Sequence, residues 1–143
     1  MSEAGRKEVF LVEDSAADAY LIRETVAGCS KDIRVWLVAD GVAALAFLRK
    51  DPPFEHVPSP ALILLDLNLP KLDGLEVLRA LRLMPAYKDT PVVIFSTAER
   101  DFAEELCLQA GATAYVQKPP NLDGFFAAIR ALVCKWLIPD GSH

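Results

Sequence analysis

Apolar positions fall along this chain in two alternating rhythms. Short apolar runs occur at residues 8–12 (EVFLV), 33–39 (IRVWLVA), 61–66 (ALILLD), 91–96 (PVVIFS) and 114–117 (AYVQ), each bounded by polar or turn residues. Runs of that length predict strands, and the third is apolar enough for a strand buried on both faces. The segments between them carry helical spacing. Ser15 has the character of an N-cap, with Asp18 three residues on, and opens a helix expected to reach about Gly28. Its inner face is assigned to the pairs Ala17 with Leu21 and Ile22 with Val26. A second helix is expected over 42–50 with Leu45 and Leu48 inward, and a third over 73–83 with Leu75, Leu78 and Leu81 inward, broken by Pro85. In a fourth, over 100–110, Phe102, Leu106 and Ala110 recur at i, i+4 and i+8 until Gly111 stops it. The last covers 122–137.

Five strands alternating with five helices predict an α/β fold, a five-stranded parallel sheet flanked by helices on both faces. The flavodoxin-like strand order 2-1-3-4-5 fits this succession. Nothing marks a repeat or an interdomain linker, so residues 1–143 are expected to form one domain with its core at about 8–137. Residues 51–60 interrupt the rhythm with four prolines in ten positions, which excludes regular helix or ladder pairing and predicts an extended surface loop. Its length suits either a contact element or an insertion.

Composition narrows the function classes. The chain is 52% hydrophobic and 24% charged, with net charge −5 and pI near 5.0. That balance argues against nucleic acid as a partner, because phosphate backbones attract basic faces. It suits a site that holds a cation. No apolar run approaches the roughly 18 residues of a membrane span, and the polar amino terminus lacks the apolar core of a signal peptide. No membrane association and a cytoplasmic location are the resulting expectations. Cys29, Cys107 and Cys134 form no C-x-x-C pair, and the only histidines are His56 and His143. A zinc site needs four such ligands at suitable spacing, so none is expected and the thiols read as free.

Candidate chemistry gathers at the strand ends. A carboxylate does not belong inside an apolar strand, so Asp66 is placed at the carboxyl end of the third, where open α/β sheets put their ligands. Taken alone, Asp66 also admits a second reading, as a loop Asp capping the helix that starts near Asp73. The other strands change that picture. The first delivers Glu13 and Asp14, the fourth Ser96, and the fifth Lys118. In a parallel sheet these ends share one edge. Three carboxylates held together repel one another, and Mg²⁺ relieves that repulsion while keeping waters and phosphate oxygens among its ligands. Lys118 and Ser96 suit phosphate oxygens, and an aspartate in such a setting can attack phosphorus and form an aspartyl phosphate.

Glu13-Asp14, Asp66 with Asn68, Pro70 and Gly74, Ser96, and Lys118-Pro119 resemble the signature of two-component response-regulator receiver domains, in order and spacing, across residues 8–137. The resemblance implies that Asp66 is the phosphoacceptor and that Asp14 and Asp66 bind Mg²⁺ with the backbone carbonyl of Asn68. It implies that Glu13 acts on the metal largely through water. Ser96 would move to the phosphoryl group, the Thr97 amide would bind one of its oxygens and Lys118 another. Tyr115 matches the aromatic position that rotates with the switch. Such a protein is a signalling receiver rather than an enzyme, catalysing only its own phosphoryl transfer and dephosphorylation. The proline-rich loop, residues 118–122 and the late Lys135-Trp136-Leu137 are similar to the small stand-alone regulators that partner phytochrome-type histidine kinases. Two positions depart from the family pattern: Glu13 stands where Asp is commoner, and Ala98 has no side chain to orient an attacking water.

Phosphorylation adds charge near −2 to an already acidic site, and is expected to bias a two-state surface around the fourth helix, fifth strand and fifth helix. After Leu137 only residues 138–143 remain in this sequence, so the output is expected to be protein contact or phosphorelay. The last helix carries Leu122, Phe125, Phe126, Ile129, Leu132, Val133, Trp136 and Leu137, more than one core-facing stripe requires. A homodimer through that region is one reading, and packing beneath the loop or the sheet edge is the other. The rival function classes are a non-phosphorylated pseudo-receiver scaffold or adaptor, a flavodoxin-like binding protein, and a metal-dependent phosphatase with an aspartyl intermediate. Intact Asp14, Asp66 and Lys118 speak against the first. Asn68, where such phosphatases carry a second Asp, speaks against the last. The missing Gly-rich loop after strand one weakens a nucleotide or flavin site.

Overall fold

The structure, a computed structural model, describes residues 7–138. The polar amino-terminal stretch before Lys7 and the tail after Ile138, His143 included, lie outside the described residues. Strands β1 (Lys7–Val12), β2 (Ile33–Val38), β3 (Leu62–Leu65), β4 (Val92–Ser96) and β5 (Ala114–Gln117) alternate with helices α1 (Ala16–Cys29), α2 (Gly41–Arg49), α3 (Gly74–Arg82), α4 (Arg100–Gln109) and α5 (Leu122–Trp136). Neighbouring strands pair in parallel in the expected order β2-β1-β3-β4-β5. Parallel pairing sends each return through a crossover, so the carboxyl ends of all five strands meet one edge of the sheet.

Strand alternation divides the core in two. Phe10, Val12, Ile63, Leu65 and Ile94 pack with Phe47 and Leu48 of α2, Leu78 and Leu81 of α3, and Cys107 of α4. Val9, Leu11, Leu62, Leu64 and Phe95 pack with Ile22 and Val26 of α1 and with Phe125, Ile129 and Val133 of α5. Both faces of β3 are therefore covered, as its continuous apolar run requires. Among the described residues, no helix is long and apolar enough to cross a membrane.

Two helix faces differ from the expectation. In α1, Ala17 is exposed and Ala19 is buried with Ile22 and Val26. In α4, Ala103 and Cys107 face the core, while Phe102 is 85% and Leu106 46% exposed. The cause lies in β5. The Tyr115 ring, buried in the same core cluster, occupies the space beside the sheet, and α4 brings small side chains to it. Helical spacing alone could not choose between adjacent stripes. Much of the apolar excess of α5 goes inward: Phe125, Ile129, Leu132, Val133 and Leu137 are buried and Trp136 packs on the same core. The proline-rich loop is likewise tied down. Phe54 tilts against Phe47 with ring centroids 5.4 Å apart, and the Lys50 ammonium donates to the Val57 carbonyl at 2.6 Å.

Asp40 opens α2 beside the functional edge, its Oδ1 accepting the Ala43 N–H at 2.7 Å. That bond, ahead of nearby Lys71, holds its carboxyl below the ordinary value of 3.8. A depressed carboxyl stabilises the fold above its unfolded pKa, and the gain is lost as pH falls through the folded pKa. Asp40→Ala is expected to cost about 1 kcal/mol at pH 7, with the gap to the parent protein narrowing progressively as pH falls below the ordinary carboxyl value of 3.8. Urea denaturation at pH 7 and down an acid series checks it.

Candidate functional site

The backbone ladder carries the critical residues one position past the strands and keeps them aligned. The Glu13 N–H donates to the Val38 carbonyl at 3.0 Å, that of Asp66 to Val12 at 3.1 Å, and that of Lys118 to Ser96 at 2.7 Å. Glu13, Asp66 and Lys118 thus hang from the end of a rigid sheet rather than from free loops. Glu13, Asp66, Ser96 and Lys118 are the buried polar or charged residues among those described. A buried polar group costs several kcal/mol unless it is paired, so four at one edge need a common explanation.

Lys118 crosses from β5 to the acids of the other strands. Its Nζ donates to Glu13 Oε1 at 2.8 Å, to Asp18 Oδ2 at 2.7 Å and to Asp66 Oδ2 at 3.2 Å. Burial pulls its pKa down, but these carboxylates outweigh burial and hold it well above the ordinary lysine value. Burial pushes Glu13 up to about 7, against the pull of its Lys118 bond and with added repulsion from Asp66. The other Glu13 oxygen accepts the Ser15 N–H at 3.0 Å, which fixes the carboxylate in place.

Asp66 is positioned from both sides. Its Oδ1 accepts the Asn68 N–H at 3.1 Å, and Asn68 itself is exposed in the loop that leads to α3. Gly74 starts α3 directly against the Asp66 backbone: a Cβ there would lie 2.1 Å from the Asp66 carbonyl oxygen. The helix that Asp73 caps is a separate matter, since the Asp73 side chain accepts the Glu76 N–H at 3.0 Å. The capping alternative for Asp66 is thereby removed.

The remaining expected residues surround this centre. Asp14 is exposed, and Glu13, Asp14 and Asp66 each offer a carboxylate oxygen with all three oxygens within 4.8 Å of one another. Three hard oxygen donors with excess negative charge fit a divalent cation such as Mg²⁺ or Mn²⁺. Ser96 is fully buried, its Oγ accepting the Ala98 N–H at 3.3 Å. Thr97 is exposed and lines, with Asp18, Leu21, Lys118 and Phe125, a groove of about 440 Å³ beside the acids. Tyr115 is turned inward, its hydroxyl donating to the Ala98 carbonyl and its own carbonyl accepting from Arg100 at 3.1 Å. The segment 96–98 therefore connects the site edge to the Tyr115 ring. Asp18 is the residue that sequence reasoning passed over. It stood as a cap partner, and its position one helical turn past Glu13-Asp14 was the one available signal.

Residues 9–130 match the response regulator receiver domain family. Over 131 residues the chain is 37% identical to the response regulator Rcp1 of Synechocystis sp., covering 92% of this chain and 89% of Rcp1. Among solved structures it is similar to the phosphorylated cyanobacterial phytochrome response regulator RcpA, with TM-score 0.89, 38% identity and coverage of 92% and 94% of the two chains. The Mn²⁺-bound form of Rcp1 superposes with TM-score 0.87 at 37% identity over 92% and 94% of the chains. The response regulator RPA3017, of red light signaling in R. palustris, does so with TM-score 0.82 at 32% identity over the same shares. The parallel sheet, the acid-lined edge spanned by Lys118 and these likenesses lead to one conclusion: the chain belongs to the response regulator receiver domain family.

Proposed function

We propose that this receiver accepts a phosphoryl group on Asp66 from a histidine kinase and signals through the change that follows. The observation that carries this reading is the coincidence of burial and charge, with Glu13, Asp66, Ser96 and Lys118 all buried at the edge that presents Asp66. In the reaction an Asp66 carboxylate oxygen forms a bond to phosphorus as the bond from phosphorus to the donor nitrogen breaks, and the nitrogen keeps the electron pair. Glu13, Asp14 and Asp66, with the backbone carbonyl of Asn68, would hold Mg²⁺. When bound, the cation neutralises charge on the carboxylates and the incoming phosphoryl group. Lys118 supplies a fixed positive charge, and the Thr97 N–H would bind a second phosphoryl oxygen. Ser96 moves toward the group, and the 96–98 segment passes that movement to Tyr115.

The likeness to RcpA and RPA3017 supports a phytochrome-type kinase as the donor. A second copy of the chain is a candidate partner through α5. The apolar surface left for it is small, centred on Leu122, which is 55% exposed, and half-buried Phe126. Sedimentation over a concentration series, with and without a phosphoryl mimic, decides that point, and a concentration-independent monomer in both rejects it.

Incubation with acetyl phosphate and Mg²⁺, followed by intact-mass measurement, tests the phosphoacceptor reading. One phosphoryl adduct is expected with the cation present and none after chelation. If neither acetyl phosphate nor a phosphorylated kinase ever yields an adduct, the scaffold reading takes its place.

A further inference from the structure

Asp18, the third acid on Lys118, has no place in the receiver signature set out above. It lies in the first turn of α1, where its backbone N–H donates to Ser15 Oγ at 3.1 Å. The cap is therefore complete without the Asp18 carboxylate. That carboxylate instead makes the shortest contact to the Lys118 amine, 2.7 Å against 2.8 Å for Glu13 and 3.2 Å for Asp66. It is also the most open of the three, its side chain 27% exposed against 2% for Glu13 and 6% for Asp66. A lysine ammonium has three N–H donors, and here three carboxylates take them all. A phosphoryl group on Asp66 needs one of those donors back. The Asp66 contact is the longest, and the Asp18 contact draws the amine toward α1 and the groove.

We propose that Asp18 is a positioning residue that restrains Lys118 in the unphosphorylated receiver and competes with the phosphoryl group for its amine. The proposal rests on Asp66 being the phosphoacceptor. Removing the Asp18 charge does two things in the same direction. It loosens the hold on a Lys118 donor, since a neutral amide oxygen accepts more weakly than a carboxylate, and it takes a negative charge from the surroundings of an incoming anion. Because Asp18 is partly exposed, its field is screened by salt, so the second effect fades as ionic strength rises.

Trifluoroberyllate, a phosphoryl mimic that binds without covalent turnover, separates these effects from chemistry. Its affinity is measured by calorimetry with saturating Mg²⁺ for the parent protein, Asp18→Asn, Asp18→Glu and Asp66→Asn, at low and high salt. Asp18→Asn is expected to bind about three- to tenfold more tightly at low salt, the range for one unit charge partly screened at this distance. The advantage should narrow at high salt, and Asp18→Glu, which keeps the charge, should stay near the parent. Thermal unfolding of each variant shows that the comparison is between folded proteins. A merely structural role for Asp18 would not produce the salt-dependent gain. Equal or weaker binding by Asp18→Asn, with the parent binding normally, overturns the proposal. Failure of the parent protein to bind, together with no acetyl phosphate adduct, overturns the phosphoacceptor reading instead.

Discussion

Replacing Lys118 with alanine is expected to lower the unfolding free energy by about 3 kcal/mol in chelated buffer and to slow phosphoryl acquisition by about a hundredfold or more. The stability loss follows from what remains. Lys118 is 5% exposed at its side chain, and Glu13 and Asp66 are 2% and 6% exposed, so the substitution leaves two buried carboxylates facing each other without a cation. Breaking a buried pair costs roughly 3–5 kcal/mol, and the lower end applies here because Asp18 can turn to water and Glu13 can take up a proton. The kinetic loss follows from the same amine, which in the proposed reaction supplies the fixed positive charge for the phosphoryl group. Urea denaturation with chelator and with saturating Mg²⁺ separates the two effects. The stability gap should narrow with the cation, which neutralises the stranded acids, while the rate defect persists.

Gly74→Ala is expected to cost about 3 kcal/mol, at the upper end of the overpacking range, and to displace Asp66, the proposed phosphoacceptor. The added Cβ would meet the Asp66 carbonyl oxygen at 2.1 Å and the Leu67 Cα at 2.7 Å. Both are backbone atoms, so no rotamer change relieves the contact. Either α3 moves away from the sheet edge or the Asp66 backbone moves with it. Gly28→Ala is the matched control. Gly28 lies within α1 with nothing within 4 Å of its added Cβ, so that substitution should instead stabilise by roughly 0.5–1 kcal/mol. Thermal unfolding of both variants, with phosphoryl acquisition by Gly74→Ala, checks the contrast.

The parts of the site legible in the sequence were those that depend on the ends of parallel strands. Once the runs at 8–12, 61–66, 91–96 and 114–117 are strands of one sheet, Glu13, Asp14, Asp66, Ser96 and Lys118 must share an edge, and they do. Gly74 was visible as a spacing but not as a cause; its reason is a close backbone approach that exists only after α3 folds back on β3. Asp18 was hidden because its contact depends on how far the Lys118 side chain reaches, 100 residues away in the chain. The α4 stripe was misread for a related reason. Phe102, Leu106 and Ala110 and their neighbours Ala103 and Cys107 both satisfy helical spacing, and it is the smaller pair that turns inward, into the core cluster that holds buried Tyr115. Periodicity locates elements, while shape decides which face turns inward.

If Asp66 carries the phosphoryl group, the mark can be read at a single position. Borohydride reduces an acyl phosphate to the alcohol, so a phosphorylated aspartate becomes homoserine and survives digestion and peptide mass spectrometry. Protein treated with acetyl phosphate and Mg²⁺ and then reduced should contain homoserine at position 66 alone, and none when the cation is chelated or when Asp66 is Asn. Homoserine at Asp14, Asp18 or elsewhere, or its absence after treatment with both acetyl phosphate and a phosphorylated histidine kinase, would contradict Asp66 as the phosphoacceptor.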